Sequence, residues 1–224
     1  MAVRIRKEKR EYYFSVEGQT EQWYLEHLQA LINGELSKKD APFTVKFNVK
    51  VEKNPLSYVK WATIRGNPMV ITHVFDYEGV EHDAEFRAVL NLMREAENLK
   101  NIRYNMAYSN LSLELWMILH KTSCNGSVVK CDQYLNILNS AFGENFSSLD
   151  HYKEERNFKR LLQDLSLKDV RCAIQSAQKI EQRNLESHTP QLHKKYRKIY
   201  SYYKENPSLN LHTVIDKLFQ ECQL

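Results

Sequence analysis

Glu17, Asp76 and Glu78 each stand at or just beyond the end of a short apolar run, in Val16-Glu17-Gly18 and in Phe75-Asp76-Tyr77-Glu78. Taken singly they have ordinary roles. Glu17 is then an exposed acid at a turn, and Asp76-Tyr77-Glu78 a solvated loop leading into a helix. Brought to one place, such carboxylates repel one another and resist desolvation, so they need a cation or a raised pKa. An all-oxygen set of this kind suits Mg²⁺ or Mn²⁺, which keep some water and are shared with substrate phosphates. The chemistry that fits is metal-assisted phosphoryl transfer: the cation activates a water and neutralises charge on a phosphodiester. Gly18 would let the backbone come close to the phosphate or the metal. Glu21, Glu81 and Asp83 have first-turn helix acids as their default role, with an outer-sphere ligand as the alternative for Glu21.

What would gather these acids is an open parallel sheet, whose ligands bind at the carboxyl ends of the strands. Four runs rich in β-branched and aromatic residues read as strands: Glu11–Val16, Phe43–Val51, Met69–Phe75 and Tyr104–Tyr108. The alternating second run suits a sheet edge, and Met69-Val70-Ile71 suits a strand covered on both faces. Helical spacing lies between them in Thr20–Ile32, Leu56–Arg65 and His82–Leu99. Alternating strands and helices imply right-handed crossovers and a mainly parallel four-stranded sheet. Glu17 then follows the first strand, Asp76 and Glu78 the third, and Ser109-Asn110 the fourth. From Leu111 onward the pattern is helical, over Leu111–His120, Cys131–Ala141, Tyr152–Leu165, Leu167–Leu185 and Leu211–Cys222, with no strand. The expectation is an α/β core over 1–120 and a helical region over 121–224.

Composition narrows the class. With 42% hydrophobic residues, 224 residues can bury a core. No apolar run reaches bilayer length and the amino terminus lacks a signal-peptide core, so a cytoplasmic protein without a membrane partner is expected. Cys124, Cys131, Cys172 and Cys222 form no CxxC pair, which argues against zinc and disulfides. There is no GxxxxGK[ST] and no GxGxxG.

At this point the residues carry a resemblance. A strand ending in Glu-Gly followed by a later strand ending in an acid-x-acid pair is similar to the Toprim fold. Val16-Glu17-Gly18-Gln19-Thr20-Glu21 with Tyr24, Val74-Phe75-Asp76-Tyr77-Glu78, and the block from Ala107 through Ser109-Asn110 and Glu114-Leu115-Trp116 to His120 resemble RloB-like (AbiLii-like) proteins. Asn206-Pro207-Ser208 with Thr213-Val214 is similar to the carboxyl-terminal signature of that family. The resemblance implies a Toprim-like nuclease core in a bacterial anti-phage protein, with an AAA-type ATPase as partner. It makes Glu17 a metal ligand or general acid/base and Asp76 with Glu78 the metal-binding pair, Glu78 standing where the family commonly has Asp. On a helix through Asn110–His120, Glu114 lies four residues from Asn110 and has two readings, pointing to the acidic edge or tying helix to sheet. His120 reads as a structural hydrogen-bonding residue.

The nucleic-acid contacts expected are Lys194, Lys195, Arg197 and Lys198, interleaved with Tyr196, Tyr200 and Tyr203 at helical spacing. A second basic cluster, Arg4, Arg6, Lys7, Lys9 and Arg10, precedes the first strand. The competing functions are a non-catalytic sensor or adaptor binding nucleic acid or an ATPase, and a receiver-like phosphoacceptor. The latter is disfavoured by Glu17-Gly18 where it would have an acidic pair.

Overall fold

The alternation of short β-branched runs with helical segments folds into a mixed α/β architecture. The computed structural model describes residues 7–65, 67–124, 126 and 128–224, so Arg4 and Arg6 lie outside the described residues. In chain order the first half comprises β1 (Glu8–Val16), α1 (Gln19–Lys38), β2 (Phe43–Val51), α2 (Pro55–Trp61), β3 (Met69–Asp76), α3 (Asp83–Leu99) and β4 (Ile102–Asn110). The second half comprises α4 (Leu113–Leu119), α5 (Gln133–Phe142), α6 (Leu149–Lys153), α7 (Glu155–Gln163), α8 (Leu167–Ser187), β5 (Gln191–Lys195), β6 (Lys198–Tyr202), β7 (Ser208–Leu209) and α9 (Leu211–Cys222).

The main sheet runs β2-β1-β3-β4-β7, with the first four strands parallel and β7 antiparallel to β4. The alternating strand β2 is an edge, as its pattern implies. One face of the sheet carries α1 and the carboxyl-terminal helices around Phe14, Leu28, Trp116 and Ile215. The other carries α2, α3 and the β5–β6 hairpin around Ile71, Phe75, Phe86 and Tyr202. Burying both faces explains the continuous apolar run of β3.

Three expectations are corrected. The sheet has five strands rather than four, because Ser208 and Leu209 pair with Asn110 and Ser109. A two-residue strand carries no periodicity to read. The region beyond Leu111 is not wholly helical: His193–Lys204, expected as a helix, forms most of an antiparallel hairpin. Tyr196 and Arg197 both take left-handed φ, +48° and +66°, which gives the tight two-residue turn that matches strand twist. The period-two series Lys198, Tyr200 and Tyr202 wins over the helical spacing of the tyrosines, because it faces α3 and the sheet. Finally, the helix expected over Tyr152–Leu165 breaks at Glu154, whose extended ψ of 134° separates α6 from α7.

The outer edge of β4 is capped by side chains. Glu97 Oε1 accepts from Tyr104 N at 2.6 Å and Lys198 Nζ donates to Tyr104 O at 2.6 Å. Asn210 accepts from Tyr108 N at 2.7 Å and donates to Met106 O at 3.2 Å. These bonds occupy backbone groups that would otherwise template strand pairing. No helix of the described residues is long and apolar enough to cross a membrane.

Candidate active site

The order β2-β1-β3-β4 sends the crossover from β1 one way along the sheet and that from β3 the other. A crevice therefore opens between the carboxyl ends of β1 and β3, the usual ligand position in such sheets. The register pairs Val16 with Val74, so the chain emerging from β1 meets the last residue of β3. Asp76 N donates to Glu17 Oε2 at 3.1 Å across this gap.

Two further carboxylates reach the same crevice. Glu21, in the first turn of α1, is buried and accepts from Thr20 Oγ1 at 3.3 Å. Gly18 caps that helix, and a Cβ there would lie 3.0 Å from Glu21 Oε2, so the missing side chain makes room for the Glu21 carboxylate. Glu114 lies in the first turn of α4, all seven residues of which are buried. It is 1% exposed, and neither carboxylate oxygen has a hydrogen-bond partner. Lys153, the last residue of α6, places its Nζ 3.2 Å from Glu114 Oε1, an ion-pair distance without hydrogen-bond alignment.

The electrostatics follow from burial and crowding. Burial pushes the Glu17 carboxyl up to about 7, opposed by the Asp76 N–H and by Lys53 and reinforced by Glu21 and Glu78. Asp76 is raised well above the carboxylate range by burial, then by the charges of Glu21, Glu17 and Glu114. Glu21 is raised by burial and by Glu114. Burial lowers the Lys153 ammonium pKa, but the Glu114 pair and the charges of Asp76 and Glu21 outweigh it and the net shift is upward. Four carboxylates from four segments thus share one low-dielectric crevice, with Lys153 against Glu114 and Lys53 reaching Glu17.

The donor set suits a hard cation: every acid offers oxygen, and the buried Glu114 oxygens accept no hydrogen bond and have only the Lys153 ion pair. No group of three acids, histidines or cysteines among the described residues converges tightly enough to hold an ion as the side chains stand.

The remaining site residues fall elsewhere or play other parts. Glu78 is exposed with a left-handed φ of +58°; its N–H donates to Leu111 O at 2.9 Å and its charge reaches Glu17. Asn110 Nδ2 donates to Lys204 O and Glu205 O at 3.0 and 3.1 Å, fastening the loop after the hairpin. His120 is buried between Tyr24 Oη at 3.1 Å and Trp116 O at 2.9 Å, and burial lowers its pKa to about 4. Of the four basic residues expected on nucleic acid, Lys195 pairs with Glu95 at 2.7 Å and Lys198 with Glu97 at 2.8 Å. Lys194 and Arg197 are exposed on the outer face of the hairpin.

Nothing in the sequence singles out Lys153. Within His151-Tyr152-Lys153-Glu154-Glu155 it looks like one more charge on a solvated helix. Asp83 has the sequence setting of a helix-start acid, yet it accepts from Tyr77 Oη at 3.1 Å and Tyr202 Oη at 2.7 Å. It thereby ties the residue after Asp76 to the hairpin.

The family model described as RloB-like protein matches residues 12–218 of the chain. No curated protein and no solved structure matches it.

Proposed function

The chain belongs to the RloB-like family, and from that premise we propose that it is a divalent-metal-dependent nuclease hydrolysing phosphodiester bonds of DNA or RNA. The observation that carries this reading is the meeting of Glu17, Glu21, Asp76 and Glu114 at the crevice between β1 and β3, with three of the four pushed toward the protonated state. Structure alone gives no return for that cost, because apolar side chains would fill the space more favourably. Asp76, Glu21 and Glu114 would hold Mg²⁺ or Mn²⁺, with Glu17 beside them and Glu78 within reach of Glu17. When bound, the cation supplies charge neutralisation at the phosphate and activation of water. Glu17, with a pKa of about 7 in the metal-free protein, suits proton acceptance and return near neutral pH. The Toprim-like resemblance supports the same assignment. Membership of the RloB-like family supports a role in anti-phage defence beside an AAA-type ATPase.

The test uses purified protein with Mn²⁺ or Mg²⁺ on single- and double-stranded DNA and on RNA. Cleavage of at least one substrate is expected, with a loss of at least about a hundredfold in Asp76→Asn. The reading fails if calorimetry shows no divalent-metal binding and Glu17→Ala leaves any cleavage intact. One observation favours the second reading, a non-catalytic nucleic-acid or ATPase-binding adaptor: no three ligands converge among the described residues. A folded Asp76→Ala variant that retains protection against phage would establish it.

A further inference from the structure

The ammonium of Lys153 sits inside a cluster whose chemistry calls for a cation. Its partner Glu114 is 1% exposed on the side chain, while Lys153 itself keeps 42% of its side chain in contact with solvent. The lysine therefore closes the pocket from the outside. The carboxylate oxygens beneath it have no hydrogen-bond partner to hold them when the charge above leaves.

The backbone that carries Lys153 is anchored. Ser148 Oγ accepts from His151 N at 3.1 Å to cap the five-residue helix α6. Tyr152 is fully buried between Phe146 and Phe158, with ring centroids 5.8 and 5.4 Å away. The break at Glu154 ends the helix immediately after the lysine. What can move is the side chain, four rotatable carbons long and open to water.

Building on the nuclease reading, we propose that Lys153 is an internal stand-in for the divalent cation, and that metal entry at Asp76, Glu21 and Glu114 proceeds by exchange with its ammonium. The lack of three converged ligands then has a cause. Glu114 is turned to Lys153, and its carboxylate joins Asp76 and Glu21 once the lysine swings out. An ammonium and a dication cannot share so small a pocket without strong repulsion. The chain thus carries its own cation at this site in the resting state, and the released lysine is left at its rim, where it faces the same anionic substrate as the metal.

The measurement is Mn²⁺ affinity by calorimetry at pH 7.5 in wild type, Lys153→Met and Lys153→Arg, together with amine acetylation of the wild type followed residue by residue by mass spectrometry. Lys153→Met is expected to bind Mn²⁺ about tenfold more tightly and Lys153→Arg no more tightly than wild type. Saturating Mn²⁺ is expected to speed acetylation of Lys153 severalfold while surface lysines such as Lys194 stay constant. The acetylation arm needs no variant, so an unfolded Lys153→Met leaves the proposal open to refutation. If wild type binds Mn²⁺ but Lys153→Met binds it equally or less well, or if Mn²⁺ leaves Lys153 acetylation unchanged, the exchange is overturned and the nuclease reading stands. No Mn²⁺ binding by wild type overturns the exchange, and with no Mg²⁺ binding and an unimpaired Glu17→Ala it sinks the nuclease reading as well.

Discussion

Glu17 is held where its ionised form is disfavoured, and that has a consequence for stability that needs no substrate. Its carboxyl rises from an ordinary value of 4.5 to about 7 on folding. Between these values the folded chain binds more protons than the unfolded one, so the group's contribution to stability falls as pH rises. The penalty is absent well below pH 4.5 and complete above pH 7, at most about 3.4 kcal/mol at 1.36 kcal/mol per pKa unit. Glu17→Gln keeps an oxygen to accept the Asp76 N–H and carries no charge. In metal-free buffer the variant is expected to match wild type near pH 4 and to exceed it at pH 8 in urea midpoint. A wild type equally or more stable at pH 8 would refute the burial of an ionisable Glu17. The residue itself was legible in sequence, because a carboxylate directly after an apolar strand is unusual enough to notice. Glu114 was legible only as an alternative, since a first-turn acid looks the same in sequence whether it faces solvent or a buried crevice. The space beside Gly18 holds the Glu21 carboxylate, a neighbour that no spacing in the sequence announces.

At the scale of elements, the strands that build the sheet were readable because both faces are buried and their β-branched runs stand out. The hairpin was not, because Tyr196-Arg197 lacks the glycine or asparagine that normally announces a left-handed turn. Tertiary contacts supply what the local sequence does not. Arg94, 9% exposed on α3, donates to Lys195 O at 3.1 Å and Tyr196 O at 2.9 Å, and its guanidinium also pairs with Glu97. These bonds take up carbonyls at the turn, where two side chains must accept an unfavourable backbone. Arg94→Ala is expected to destabilise the fold by roughly 2–4 kcal/mol, because it removes a buried charged donor from two turn carbonyls and leaves Lys198 as the cation facing Glu97. Amide exchange should accelerate first in β5 and β6, before β1 and β3. Uniform acceleration across both sheets would show that the hairpin has no independent stability.

Across the whole molecule, the net charge of +4 is too small to announce a polyanionic partner, so the placement of the basic residues decides the matter. The hairpin separates its cations by face. Lys195 and Lys198 point inward to Glu95 and Glu97, and burial lowers the Lys198 pKa to about 8. Lys194 and Arg197 point outward beside Tyr196 and Ile199, which are 56% and 52% exposed. A segment that looks uniformly basic in sequence therefore has one structural pair and one pair free to meet phosphate. Reversing the outer pair, Lys194→Glu with Arg197→Glu, is expected to weaken binding of a short fluorescent oligonucleotide at least tenfold and to flatten its salt dependence, with a change in stability within about 0.5 kcal/mol. Lys198→Met should do the reverse. It removes the cap on Tyr104 O and the charge facing Glu97, so it should lower the urea midpoint while leaving the binding of the remaining folded protein within about twofold. Anisotropy titrations at two salt concentrations, paired with urea melts of both variants, separate the two roles. Equal binding losses in both would mean that the hairpin acts through its fold, and unchanged binding in the double reversal would move the nucleic-acid surface elsewhere.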